Sequence, residues 1–112
     1  MEERIRILRL FDEYGALLNE RQRKIMELYY VSDFSLSEIG EELNVTRQAA
    51  HDGLKRGANA LENFEEILSL VKKRERREGI ISNLKTRVEK LPQSENREII
   101  LEEIKKLEEE AL

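Results

Sequence analysis

The sequence predicts an all-α protein, a helix-turn-helix domain followed by a helical extension. Three observations predict it. No run alternates apolar and polar residues with β-branched side chains, as a half-buried strand requires. Apolar residues recur instead at steps of three and four along nearly the whole chain. The stretch "SLSEIGEELNVTRQAAHDGLKR", Ser35 to Arg56, carries two helix-start signals separated by one short helix and a tight turn.

Ile5, Leu8, Phe11 and, near its end, Leu18 make one stripe on a first helix, with Gly15 a weak point. Asn19 followed by Gln22 has capping-box spacing, so a second helix is expected from Glu20 to Tyr30, with Ile25, Leu28 and Tyr29 inward. Val31 to Phe34 is a short connection. Ser35 with Glu38 is the next capping box and starts a helix burying Leu36, Ile39 and Leu43. Asn44 stands where a left-handed residue ends that helix, because Asn tolerates positive φ better than most. Thr46 caps the next helix through its hydroxyl.

After Arg47 the apolar pattern continues through Ala50, Leu54, Gly57, Leu61, Phe64, Leu68 and Val71. A single helix of about 30 residues would be roughly 45 Å long. Gly53 and Gly57 each cost about 1 kcal/mol inside a helix, and Asn59 with Glu62 and Asn63 with Glu66 offer restarts. A break between Gly57 and Asn63 is therefore expected. A further helix runs from about Ile67 through the basic run, kinks at Gly79, carries Ile81, Leu84, Val88 and Leu91, and ends at Pro92. Ser94 caps a last helix with Ile100, Ile104, Leu107 and Ala111. No internal repeat or low-complexity linker is present. The expected division is a helix-turn-helix domain over 1–64 and a charged extension over 65–112, the latter a dimerisation or partner surface.

The 112 residues include no Cys, no Trp, one His and one Pro, and 39% are charged. Without Cys there are no disulfides or thiolate metal sites, and a single His cannot build a zinc centre. No metal or other cofactor is expected. The longest apolar runs, such as Ile99 to Leu101, exclude a membrane span and a signal segment, and a cytoplasmic location is expected. No glycine-rich phosphate loop, nucleophile–base pair or metal-ligand cluster occurs, so no enzyme activity is expected. The net charge of −4 is unevenly spread. Lys72 to Lys90 holds eight basic residues against three acidic, whereas Leu91 to Leu112 holds seven acidic against three basic. Segments of opposite sign suggest an acidic helix against a basic one, or a basic face left for a partner.

A helix-turn-helix needs an apolar contact that makes its second helix project rigidly. Ile39, Leu43, Val45, Ala50 and Leu54 supply it, with Gly40 the small residue where the helices close up. The outward residues then meet base edges in the major groove. The candidate DNA-binding residues are Thr46, Arg47, Gln48, His51, Asp52, Lys55 and Arg56, the last for phosphate. Arg suits guanine and Gln suits adenine, each through paired hydrogen bonds.

The segment "LNERQRKIMELYYVSDFSLSEIGEELNVTRQAAHDGLKRGANALE" resembles the C-terminal, promoter-reading region four of bacterial sigma factors, over about two-fifths of the chain. Nearly the whole chain resembles the YlxM family of small sigma-region-like proteins, through "RQR", the YY…D.SL.EI pattern, "NVTRQA" and the charged tail helices. The resemblance implies a cytoplasmic all-helical regulator connected to the signal recognition particle pathway. It places the base-reading positions on Arg47, Gln48, His51 and Lys55. Two positions depart from the sigma pattern: Gly53 replaces a large apolar residue, and Ala49 replaces a long polar one. Asp52 adds a charge that phosphates repel. One copy then has few reaching side chains, and a homodimer is the expected remedy.

Two readings of the partner stand side by side. In the first, the motif binds DNA. In the second, it is scaffold, and "KKRERR" (Lys72, Lys73, Arg74, Arg76, Arg77) meets phosphate, signal recognition particle RNA or a protein. The simpler account of that run is a solvated helix face paired at i, i+4. Likewise the Gly53, Gly57 and Ala60 face suits a close helix crossing. The last helix either seams a dimer or folds back on its own chain.

Overall fold

The structure, a computed structural model, describes residues 2–110. Among these there are six α-helices and no strand: α1 (Glu2–Tyr14), α2 (Glu20–Met26), α3 (Leu36–Leu43), α4 (Arg47–Leu68), α5 (Leu70–Glu89) and α6 (Glu95–Glu110). The chain forms two compact units, Met1–Val71 and Lys72–Leu112.

The first unit is organised around α4. One apolar cluster joins Ile7, Leu10 and Tyr14 of α1 to Leu18, Met26, Leu61 and Val71. A second joins Ile25 and Leu28 to Ile39 of α3 and Ala50 of α4. Leu54 packs against both. The buried line of α1 is thus Ile7, Leu10 and Tyr14; of the expected stripe, Leu18 is buried in the cluster and Phe11 packs against it, whereas Ile5 is half exposed. Either line satisfies helical spacing, and only the position of α4 selects one.

The expected break in α4 is absent; the helix runs unbroken for 22 residues. The two glycines that argued for a break are where α2 comes closest. A Cβ on Gly53 would stand 2.6 Å from Ile25 Cδ1, and one on Gly57 2.9 Å from Met26 Sδ. Their helix-propensity cost is offset by seating Ile25 and Met26, both fully buried. The restart positions also find other uses, since Glu62 pairs with Arg6.

α4 ends one residue before Ser69, which is left-handed at φ 53°. The next helix therefore starts at Leu70 and not near Ile67. Its first amides are met from elsewhere in the fold. Leu70 N–H donates to the Tyr14 hydroxyl (2.9 Å) and Val71 N–H to Glu65 Oε1 (3.0 Å), while the Tyr14 O–H donates to that same oxygen (2.6 Å). Burial and then the Glu65 hydrogen bond push the Tyr14 phenol above its ordinary pKa.

The second helix begins as expected, with Asn19 Oδ1 accepting from Gln22 N–H at 2.8 Å. It does not stay α-helical to Tyr30. Glu27–Val31 widens into a π turn, closed by Ser32 N–H to Glu27 O at 3.0 Å. The wider turn sends Tyr30 to the first cluster and Tyr29 to the second. Arg4 pins the segment by donating to Tyr30 O (2.9 Å) and Asp33 (2.7 Å).

Arg6 grips Glu62 with two parallel hydrogen bonds of 2.8 and 2.7 Å, tying α1 to α4. The bond to Arg6 holds the Glu62 carboxyl below the ordinary carboxylate pKa. A lowered folded-state pKa contributes stability above the unfolded value, about 4.3, and loses it as pH falls through the folded value. Acid unfolding should therefore show a contribution at and below pH ~4 that Arg6→Ala removes. Because the pair is exposed, the loss at neutral pH should be under about 1 kcal/mol. Denaturant midpoints across pH for both proteins test this.

In the second unit, Ile81, Val88 and Ile104 are buried together, with Leu101 against them. Lys85 reaches Glu108 at 3.4 Å, and Arg97 reaches the Glu89 carbonyl at 3.3 Å, so α5 and α6 run antiparallel. Helix continues through Gly79. Ser94 Oγ caps α6 by accepting from Arg97 N–H at 3.1 Å. Leu84, Leu91, Ile100 and Leu107, expected on the inward stripes, stay 41–52% exposed. Ala111 lies outside the described residues. No helix among them is long and apolar enough to cross a membrane.

Candidate nucleic-acid interface

The α3–turn–α4 segment is fastened at three points. Ser35 Oγ accepts from Glu38 N–H (3.1 Å) while the Glu38 carboxylate accepts from Ser35 N–H (2.9 Å), the full capping box. The bonds to Ser35 also lower the Glu38 pKa. At the other end Asn44 is left-handed at φ 56° and ψ 48°. Val45 N–H reaches Gly40 O (2.8 Å) and Asn44 N–H reaches Glu41 O (3.4 Å), which is a Schellman closure. Thr46 Oγ1 then accepts from Ala49 N–H at 3.0 Å and opens α4. All three devices stand where the sequence put them.

Gly40 is the point of close approach that its spacing suggested, chiefly to the turn. A Cβ there would stand 2.8 Å from the Val45 carbonyl oxygen and 3.4 Å from Arg47 N at the start of α4. Its absence lets the turn fold tightly under α3. Below, Ile39 and Ala50 are fully buried, with Leu43, Val45 and Leu54 packed against them. α4 is therefore held along one side.

On the other side Arg47, Gln48, His51, Lys55 and Arg56 are exposed, and Asp52 is half-buried. Arg47, His51 and Lys55 follow one line at i, i+4 and i+8, and Gln48, Asp52 and Arg56 the next. Two of the six are engaged with a third. Gln48 Nε2 donates to Asp52 Oδ1 at 3.0 Å, and His51 Nδ1 lies 3.5 Å from the same oxygen. Asp52 thus orients the Gln48 amide, leaving its second proton and its carbonyl oxygen for a base edge. The first turn of α4 has no acidic residue and opens on Arg47. A cation there opposes the helix dipole by a few tenths of a kcal/mol, a broken local rule of the kind found at functional sites. Thr46, also exposed, has its oxygen committed to the cap.

The second predicted basic group stands in the other compact unit. Lys72, Lys73, Arg76 and Arg77 are exposed on α5 and Arg74 is half-buried. One surface drew no attention in the sequence. Glu20, Arg21, Arg23, Lys24 and Glu27 line an open groove with Leu43 at the end of α3. The signal for it was the basic run between Glu20 and Glu27, spaced so that Ile25 and Met26 alone turn inward.

Fold and site together define a helix-turn-helix protein, with the second helix of the motif extended to 22 residues and a two-helix extension after it. The family described as "Putative helix-turn-helix protein, YlxM / p13 like" matches residues 1–108. The chain belongs to this family, UPF0122. It is 47% identical over 108 residues to the UPF0122 protein of Halalkalibacterium halodurans, covering 96% of this chain and 99% of that one. With the UPF0122 protein of Bacillus velezensis the identity is 41% over 108 residues, covering 96% and 98%.

Proposed function

We propose that the protein is a DNA-binding regulator, without catalytic activity, that reads the major groove with α4 and acts as a homodimer. One observation carries the reading. Arg47, Gln48, His51 and Lys55 lie exposed along a helix whose opposite side is locked by Ile39, Ala50 and a doubly capped turn. Arg56 and the exposed Arg21, Arg23 and Lys24 beside the end of α3 would contact phosphate. The resemblance to YlxM proteins supports a target within the signal recognition particle pathway.

Selection of genomic fragments by the purified protein near physiological salt tests the proposal. Enrichment of a two-fold-related site, at least tenfold preferred over random DNA, is the expected result. Retention without enrichment, or no retention, sinks it.

A second reading is favoured by the exposed basic residues of α5. There the working surface is Lys72 to Lys90, and its partner is RNA or protein of the signal recognition particle. In that case Arg74→Glu with Arg77→Glu abolishes partner binding while substitutions in α4 leave it intact.

A further inference from the structure

We infer that the second unit pairs with a second copy of itself as a four-helix bundle, α5 of each chain lying over α6 of the other. This deepens the homodimer in the function proposed above and rests on that reading. The first observation is an incomplete core. Among the described residues of Lys72–Leu112 three side chains are buried, Ile81, Val88 and Ile104. Units near 40 residues usually need disulfides, metals or self-association to stand. This chain has no cysteine, and no cluster among the described residues could hold a metal ion.

The second observation is where the remaining apolar side chains lie. Ile80, Leu84 and Leu91 on and after α5 are 57%, 42% and 52% exposed, and Ile100 and Leu107 on α6 are 41% and 45%. On α5 this stripe is rotated to one side of the Ile81–Val88 line; on α6, Ile100 and Leu107 are rotated in the same sense from Ile104. Antiparallel helices rotated in the same sense turn those stripes to one side of the hairpin. The result is a single apolar face shared by both helices.

Charge selects the occupant. Continued at steps of three and four, the α5 stripe reads Lys73, Arg77, Ile80, Leu84, and the α6 stripe reads Ile100, Glu103, Leu107, Glu110. Lys73, Arg77 and Glu110 lie toward the same end of the hairpin. A two-fold axis parallel to the helices sets the Arg77 end of each chain's α5 over the Glu110 end of the partner's α6 and brings the apolar positions together. An isologous face of this kind is complementary to itself. A two-fold axis across the helices would instead set α5 against a reversed α5, leaving Lys73 and Arg77 no acidic stripe to face.

The test uses the full chain, whose lack of cysteine makes single thiols unique. Leu84→Cys and Leu107→Cys, both at exposed positions, are mixed and treated with a short bis-maleimide, each end of which adds one thiol. Cross-links between the two variants should exceed those within either one. Sedimentation of the unmodified protein should give the mass of two chains, and Arg77→Glu should weaken the association several-fold. A mass of one chain, or cross-linking mainly within the Leu84→Cys variant, overturns the inference. The DNA selection is independent of this. A dimer that enriches no site would remove the DNA reading and leave the bundle standing, and a site bound by one chain would do the reverse.

Discussion

Replacing Arg47 and Gln48 together with Ala is expected to lower affinity for the selected site at least thirtyfold while leaving the fold intact. Each paired contact to a base contributes roughly 1–3 kcal/mol of discrimination, so two should contribute roughly 2–6 kcal/mol. Both residues are exposed, so stability should change by less than about 0.5 kcal/mol. The bond from Gln48 to Asp52 sharpens the expectation, because an amide already oriented loses less freedom on meeting a base. Fluorescence anisotropy on the selected site and on random DNA separates the two components. Specific affinity should collapse toward the non-specific level, while the salt slope, set by phosphate contacts, falls only by about the one lost cation. Unchanged preference for the site would show that α4 does not read it.

The largest stability effect is expected from Ile39→Ala, at about 2–5 kcal/mol. Ile39 is fully buried in the cluster of Ile25, Leu28 and Ala50, where α2, α3 and α4 meet. The neighbours can do little to close the resulting cavity. Gly53 and Gly57 already bring α2 as near to α4 as Ile25 and Met26 permit. Urea unfolding monitored by circular dichroism should show a lower midpoint at unchanged slope. A loss under 1 kcal/mol would mean that α3 is not locked as described. Whatever folded fraction remains should bind DNA more weakly, because Ile39 fixes the angle at which the turn delivers α4.

Legibility in the sequence followed the range of the interactions. Ser35 with Glu38, Asn44 and Thr46 could be assigned from letters alone, because a cap or a left-handed residue is decided within four residues of itself. The exposed side of α4 followed from the same spacing. The π turn at Glu27–Val31 could not be read, since its cause is a demand from two clusters for Tyr29 and Tyr30. Nor could the groove formed by Arg21, Arg23, Lys24 and Leu43, which joins residues about twenty positions apart.

Gly53 and Gly57 show the boundary between the two kinds of information most clearly. Helix propensity, a local quantity, counts them as defects and predicts a break. The neighbouring Ile25 and Met26 side chains, distant in sequence, occupy the space a Cβ would need at both positions, so a larger residue has to displace a buried side chain. The same holds for α1, where Ile5 and Ile7 are equally apolar and the location of α4 chose Ile7. What the sequence alone determined was the all-helical class, the capped motif and its outward residues, because hydrogen bonding and periodicity along one chain suffice for these. Only the tertiary structure decided that α4 is continuous, which face of α1 is buried, and which apolar residues of α5 and α6 stay uncovered. Those outcomes depend on which surfaces meet, and periodicity fixes the shape of a surface without naming its partner.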